Sequence, residues 1–314
     1  VAMKPALSVI FFTVMSGTGY GLWCLLGAAL CIGIYPIGGN GILVPLLFGF
    51  VLVTAGLLAS TAHLGRPGRA WRALSQWRSS WLSREGVASL VTYLPMLALA
   101  WLAFTGRTGA GLRTAGALLA LGALMTLWCT ANIYRSLKTI RAWRTRQVLP
   151  LYFAFALLSG GLWLWTWLAL SPYAVVGLAF PLALLALAVI TAVVKTDYWR
   201  RIDAQPTNTA GHATGLEKLG QVRAFEGPVT EESYLTREMA FVLARKHGAR
   251  LRRIALALFA VLPVLGIVIA LATGFAWIAL PAAVACIAGL FVERWLFFAE
   301  ARHAVAAFFP APLA

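Results

Sequence analysis

Eight apolar runs, each long enough to cross a bilayer, are spaced along the 314 residues of this chain, and they leave it few folds to choose from. A helix rising about 1.5 Å per residue needs about 20 apolar residues to cross a hydrocarbon core. The runs cover residues 7–34, 41–63, 86–104, 112–133, 150–170, 172–194, 254–273 and 275–298. Backbone amides in lipid must find partners within their own segment, so runs of this length fold as helices. With 61% hydrophobic and 11% charged residues, the chain does not have the composition of a soluble domain. The expected class is therefore all-α, a polytopic bundle of eight transmembrane helices forming a single membrane domain over residues 1–314. The first run is longer than a signal-peptide core and has one flanking Lys4, so it reads as a retained span.

Charge separates the two faces of this bundle. With eight spans, the N-terminus, the segments after spans two, four and six, and the C-terminus share one side. That side holds Arg66, Arg69, Arg72, Arg78 and Arg84 after span two, and Arg135, Lys138, Arg141, Arg144 and Arg146 after span four. Eleven more basic residues, from Lys195 to Arg253, fall in the loop 195–253 after span six. The opposite loops, YPIGGNG, TGRTGAG, LSPY and the turn at Gly274, contribute Arg107 and Arg113. The positive-inside rule makes the basic face, with both termini and the large loops, cytoplasmic. The net charge of +16 follows from this topology and from contact with anionic lipid, and nucleic acid is not an expected partner. Exposed polypeptide on one face suits a docked partner, and Arg69, Arg72, Arg78, Arg141, Arg144, Arg245 and Lys246 are the expected docking residues.

Two of the basic-side segments carry helical patterns. After span two, Trp71, Leu74, Trp77 and Trp81 fall on one face with Arg69 and Arg72 opposite, which predicts an interfacial helix set off from span two by Pro67 and Gly68. After span six, DAQPTNTAGHATG reads as a linker, and Thr230 then caps a helix through Glu231, Glu232, Leu235, Met239, Val242 and Leu243. Cys24, Cys31, Cys129 and Cys286 lie in apolar runs without CxxC spacing and read as buried small side chains.

The chemistry concentrates between spans two and three, in HLGRPGRAWRALSQWRSSWLSRE. His63 closes one span and Glu85 opens the next, so both sit at one membrane depth. An imidazole facing a carboxylate at the edge of an apolar slot can bond a quinone oxygen and exchange the protons of quinone redox chemistry. Arg66 and Arg84 are placed to orient Glu85 or to stabilise a reduced quinone, Tyr134 to add a hydrogen bond, and Trp71 to roof the pocket. The residues alone leave a blander reading open, a structural helix-end histidine and a simple Glu85–Arg84 ion pair. Haem is not expected: the histidines are His63, His212, His247 and His303, two in one loop and two near membrane boundaries. No metal-ligand set appears.

HLGRPGRAWRAL followed by SSWLSRE resembles the membrane anchor subunit of the dimethyl sulfoxide reductase family, the DmsC-type proteins. NIYRSLKTIRAW, MAFVLARKHGARLR and ERWLFFAEARH resemble the same family, so the likeness covers essentially the whole chain. It implies a subunit of the bacterial inner membrane with no metal or haem of its own, which exchanges electrons with menaquinone or ubiquinone. Its implied partners are a four-cluster, ferredoxin-like iron–sulfur subunit and a molybdopterin catalytic subunit. The family's quinone-site histidine and glutamate match His63 and Glu85. The cytoplasmic orientation of the basic face points to the sulfite-oxidising branch of the family, with a menaquinol-oxidising anchor of an anaerobic reductase as the alternative. A secondary transporter would carry ionisable residues at mid-membrane and an internal repeat. Here the runs are almost free of charge except at their ends, and GxSxG and HExxH motifs for a self-contained intramembrane enzyme are absent.

Overall fold

Among the described residues, eight helices are long and apolar enough to cross a membrane. The computed structural model describes residues 7–61, 67–172, 177–205, 210–220, 222, 242–301 and 304. In chain order the helices are α1 (Leu7–Ile32), α2 (Asn40–Thr61), α3 (Trp81–Phe104), α4 (Ala110–Arg135), α5 (Val148–Leu170) and α6 (Ala179–Asp203). The seventh span joins α7 (Val242–Leu256) to α8 (Leu262–Thr273) through a π turn at Ala257–Val261, and the eighth is α9 (Ala279–Ala299) with one 3-10 turn before it. The π turn falls just ahead of Pro263, which has no N–H to continue the α ladder.

Several boundaries differ from the hydropathy reading, and three bear on the site. Helix α3 starts at Trp81 because Ser80 caps it, its side chain accepting the Ser83 amide at 3.5 Å, so Glu85 lies inside the helix. Helix α6 begins at Ala179 and runs on to Asp203, so Lys195 is a helix residue and not part of a loop. The expected interfacial helix is a 3-10 helix over Pro67–Leu74 that stops short of Trp77. Ser75 Oγ donates to the Arg72 carbonyl at 2.7 Å and Ser79 Oγ reaches Gln76, local bonds that compete with helix continuation. The helix expected from Thr230 to Val242 lies outside the described residues up to the start of α7.

Helix α1 is the axis of the bundle. It packs on α2, α4, α5 and α9, and 72% of its most apolar stretch is buried. Two hydrophobic cores meet along it. One is built mainly from α1 to α4, with part of α5, around Trp23, Leu46, Leu99 and Leu119; the other is built mainly from α5 to α9, with the basic-side ends of α1 and α4, around Phe155, Phe259, Cys286 and Leu296. Lipid supplies no hydrophobic drive between helices, so close backbone approach has to hold them together. Gly21 provides it against α5: a Cβ there would overlap the Ala156 carbonyl oxygen. Gly160 provides it from the other side, where a Cβ would overlap the Leu22 nitrogen.

Pro45 lies inside α2 and cannot donate to the Gly41 carbonyl one turn earlier. The Tyr35 hydroxyl at 2.7 Å and the Trp167 indole N–H at 3.0 Å donate to that carbonyl instead, the latter from α5. On this far side the connections are short, and Gly106 and Gly274 turn the chain with φ of 65° and 70°.

Candidate functional site

Glu85 is 4% exposed one turn inside α3, at the end of the bundle that carries the basic loops. Its Oε1 accepts a hydrogen bond from the Thr130 hydroxyl of α4. The two antiparallel helices are brought close by Gly122, where a Cβ would fall 2.7 Å from Thr92 Oγ1. Tyr134 lies one turn beyond Thr130 on the same face of α4. It is buried, and its ring stacks on Tyr152 of α5 at 5.7 Å and meets Trp143 edge-on at 5.3 Å. The Trp143 indole N–H donates to the Phe297 carbonyl at 3.0 Å, which ties the α4–α5 loop to α9.

The roof of this site differs from expectation. Arg84 does not pair with Glu85; it donates to the carbonyls of Trp77 at 3.0 Å and Arg78 at 2.6 Å, and its guanidinium lies 4.4 Å from the Trp81 ring centroid. Adjacent residues on a helix point about 100° apart, which turns Arg84 to the loop while Glu85 faces the core. Arg84 therefore holds the turn before α3 in place. Trp71 is 65% exposed, with Arg72 beside its ring, so it lines no buried pocket. The Ser83 hydroxyl donates to the Ala73 carbonyl and Leu74 packs over Gly86, which fixes the 3-10 helix above the start of α3. His63 and Arg66 lie outside the described residues.

Among the expected docking residues, Arg69, Arg72, Arg78, Arg141 and Arg144 are exposed. Arg141 and Arg144 flank the buried Ala142 and Trp143, so these two charges stand on an anchored turn. Arg245 and Lys246 fall in the first turn of α7, and their side chains lie outside the described part of the structure.

A second cluster was not visible in the sequence. Lys195, read there as a loop residue, is 1% exposed inside α6, with its Nζ 2.5 Å from Glu293 Oε1 of α9. Glu293 Oε2 is 2.7 Å from Arg294 Nε, and the Arg294 guanidinium lies over Tyr152 at 4.3 Å. Charge inside an apolar helix is costly unless paired, and hydropathy alone cannot see the partner. The available signal was the reciprocal one, an acid–base pair in FVERWLFF and a lone lysine in AVVKTDYW. Closer to the basic face, Arg252 bridges Asp203 at 2.5 Å and Glu300 at 2.7 Å. Burial raises the Glu300 carboxyl above the ordinary carboxylate range, while Arg252 pulls it back.

No group of three or more His, Cys, Asp or Glu side chains among the described residues is arranged to hold a metal ion. His247 is exposed, Cys24, Cys129 and Cys286 are buried, and Cys31 is half-buried. A sequestered carboxylate paired to a hydroxyl, one turn inside its helix, can hold a proton and pass it on without strong competition from bulk water.

The whole-chain resemblance is borne out by comparison with known proteins. Residues 3–299 match the family model described as DMSO reductase anchor subunit (DmsC). The protein is 31% identical to the C subunit of the sulfite dehydrogenase of Allochromatium vinosum, over 96% of its own length and 97% of that protein. It is 30% identical to the C polypeptide of the anaerobic dimethyl sulfoxide reductase of Escherichia coli, over 49% of its own length and 54% of that protein. With its eight membrane-crossing helices and a family match that runs almost from end to end, the protein belongs to the DmsC family of membrane anchor subunits.

Proposed function

We propose that this protein anchors a molybdopterin and iron–sulfur oxidoreductase to the bacterial inner membrane and provides the site where that enzyme exchanges electrons with quinone. The observation that carries the reading is the position of Glu85, buried one turn inside α3 and held by Thr130, at the same end of the bundle as the exposed arginines. On the reading that the anchor holds no haem to carry electrons across the bilayer, quinone site and iron–sulfur partner share one face. His63, which follows α2 in the sequence, bonds a quinone oxygen, and Glu85 exchanges the accompanying proton. Tyr134 and Thr130 shape the inner wall of the site, and Arg84 keeps the roof in register.

The full-length likeness to part of a sulfite dehydrogenase favours one direction of flow. In that direction the catalytic subunit oxidises sulfite with water to sulfate, and two electrons reach quinone through the iron–sulfur subunit while two protons complete quinol. The basic face is then cytoplasmic, in line with its arginine excess. The half-length likeness to part of a dimethyl sulfoxide reductase supports the second reading, oxidation of menaquinol by the same site.

Membranes holding the assembled complex are expected to reduce a water-soluble ubiquinone analogue when sulfite is added, and the soluble subunits without this anchor are not. An equal rate from the soluble subunits alone would reject the quinone role. Menaquinol oxidation without any sulfite-driven quinone reduction would select the second reading.

Docking is tested separately. Reversing charge at Arg141 and Arg144 together (R141E with R144E) is expected to release the iron–sulfur and catalytic subunits into the soluble fraction, because both charges stand exposed on a rigid turn. Full retention of both subunits on the membrane, seen by immunoblot, would assign docking to another surface.

A further inference from the structure

A polar layer crosses the interior of the bundle near its basic end. It starts at Glu85 and Thr130, and Thr130 also lines a partly open cavity of about 20 Å³ together with Tyr20, Tyr152, Ser159 and Arg294. That volume accommodates one water molecule, for which about 10–15 Å³ is the minimum. Three polar atoms of the lining residues are buried without a well-formed hydrogen bond among the described residues: the hydroxyls of Tyr20 and Tyr152, and Nη1 of Arg294. Buried polar atoms in folded proteins are almost always satisfied, and a polar cavity of this size is where an ordered water satisfies them.

The layer continues past the cavity. Arg294 reaches Glu293 at 2.7 Å, and Glu293 reaches Lys195 at 2.5 Å. The Lys195 ammonium lies 4.0 Å from the centroid of the Tyr198 ring, and Tyr198 is within electrostatic reach of both Glu293 and Glu300. The Tyr198 hydroxyl and Glu300 Oε2 are further buried atoms with no hydrogen-bond partner among the described residues. Glu300 shares Arg252 with Asp203, whose side chain is 58% exposed. Groups from α3, α4, α5, α9 and α6 thus succeed one another from Glu85 to the surface. A buried ion pair adds little net stability, so support of the fold does not by itself account for the Lys195–Glu293–Arg294 cluster.

We propose that this layer is a proton route between the Glu85 site and water at the basic face. It rests on the reading of Glu85 as part of a quinone site. Glu85, Glu293, Lys195 and Glu300 take up and release protons. Thr130, Tyr152 and one ordered water bridge the gap between Glu85 and Glu293, and Arg294 is a positioning residue that stays charged and holds the water and Glu293 in place. Two protons travel inward for each quinone reduced by two electrons from the iron–sulfur partner, and two travel outward when quinol is oxidised. The layer carries no electrons.

The test uses the assembled complex in nanodiscs and two variants chosen to keep packing. Tyr152→Phe removes one hydroxyl from the cavity, and Lys195→Met with Glu293→Gln replaces the ion pair with neutral side chains of similar size. Both are expected to lower quinone-linked turnover by about tenfold or more. Both should also raise the solvent deuterium isotope effect, with the affinity for a hydroxyquinoline N-oxide inhibitor of the quinone site unchanged. A structural role would leave the isotope effect where it was. Wild-type turnover and a wild-type isotope effect in Tyr152→Phe would overturn the route, and that variant decides alone if the double substitution fails to assemble. Should Glu85→Gln also turn over at the wild-type rate, the quinone-site reading falls with it. An impaired Glu85→Gln beside silent Tyr152→Phe and Lys195→Met/Glu293→Gln variants would remove the route and leave the site standing.

Discussion

Glu85→Gln in the assembled complex is expected to cut quinone-linked turnover by about a hundredfold or more, the scale of a lost general acid–base group. Electron transfer from the catalytic subunit to an artificial dye is expected to continue, since it bypasses the anchor. The substitution isolates proton exchange from packing. Glutamine matches glutamate in shape, and its carbonyl oxygen still accepts the Thr130 hydroxyl, so the α3–α4 contact survives. A carboxylate that served only as a structural acceptor would be replaced by glutamine at little cost. His63→Ala is expected to behave the same way if the imidazole bonds the quinone directly. Parallel steady-state assays with a quinone analogue and with a dye decide the matter, and an unchanged quinone rate in Glu85→Gln would remove the carboxylate from the site.

The second large effect concerns assembly of the bundle itself. Gly160→Leu or Gly21→Leu is expected to cost more than about 4 kcal/mol, at the severe end of single substitutions, and to abolish folded protein in the membrane. The obstacle at each position is backbone: the Ala156 carbonyl oxygen for a Cβ on Gly21, and the Leu22 nitrogen for one on Gly160. No side-chain rotamer relieves either clash, so α1 and α5 would have to separate, opening both cores at their shared seam. Gly17 is the control on the same helix, because a Cβ there meets nothing within 4 Å. Gly17→Ala is expected to hold or gain stability by up to about 1 kcal/mol through helix propensity. Thermal aggregation of the detergent-solubilised protein would separate the two outcomes, and a Gly160→Leu protein as heat-stable as the parent would refute the close-packing account.

What the sequence revealed and what it hid divide along one physical line. Span number was legible because each helix advertises its own length in apolar residues, and Glu85 drew notice because a lone carboxylate opens an apolar run at the end of the segment that His63 begins. Features that depend on a partner far along the chain were not. Lys195 looked like a loop charge because nothing near it announces Glu293, and Thr130 looked like any helical threonine because its role depends on the register of α3 against α4. Arg84 beside Glu85 invited an ion pair, but helix geometry turns the two side chains apart and gives Arg84 to the carbonyls of Trp77 and Arg78. The tryptophan stripe from Trp71 to Trp81 suggested one continuous helix; the serines between them took the backbone for themselves and divided it.

The Gly41 carbonyl has a bearing on how this protein is made. One of its two donors, Tyr35, emerges from the ribosome before it, but the other, Trp167, belongs to a helix synthesised more than a hundred residues later. The Gly41 carbonyl in the proline-interrupted second helix therefore gains its second donor only after the fifth helix has been delivered by the insertion machinery. Fragments generated by premature termination before that point would leave an unfinished hairpin in the bilayer, a natural substrate for membrane quality-control proteases.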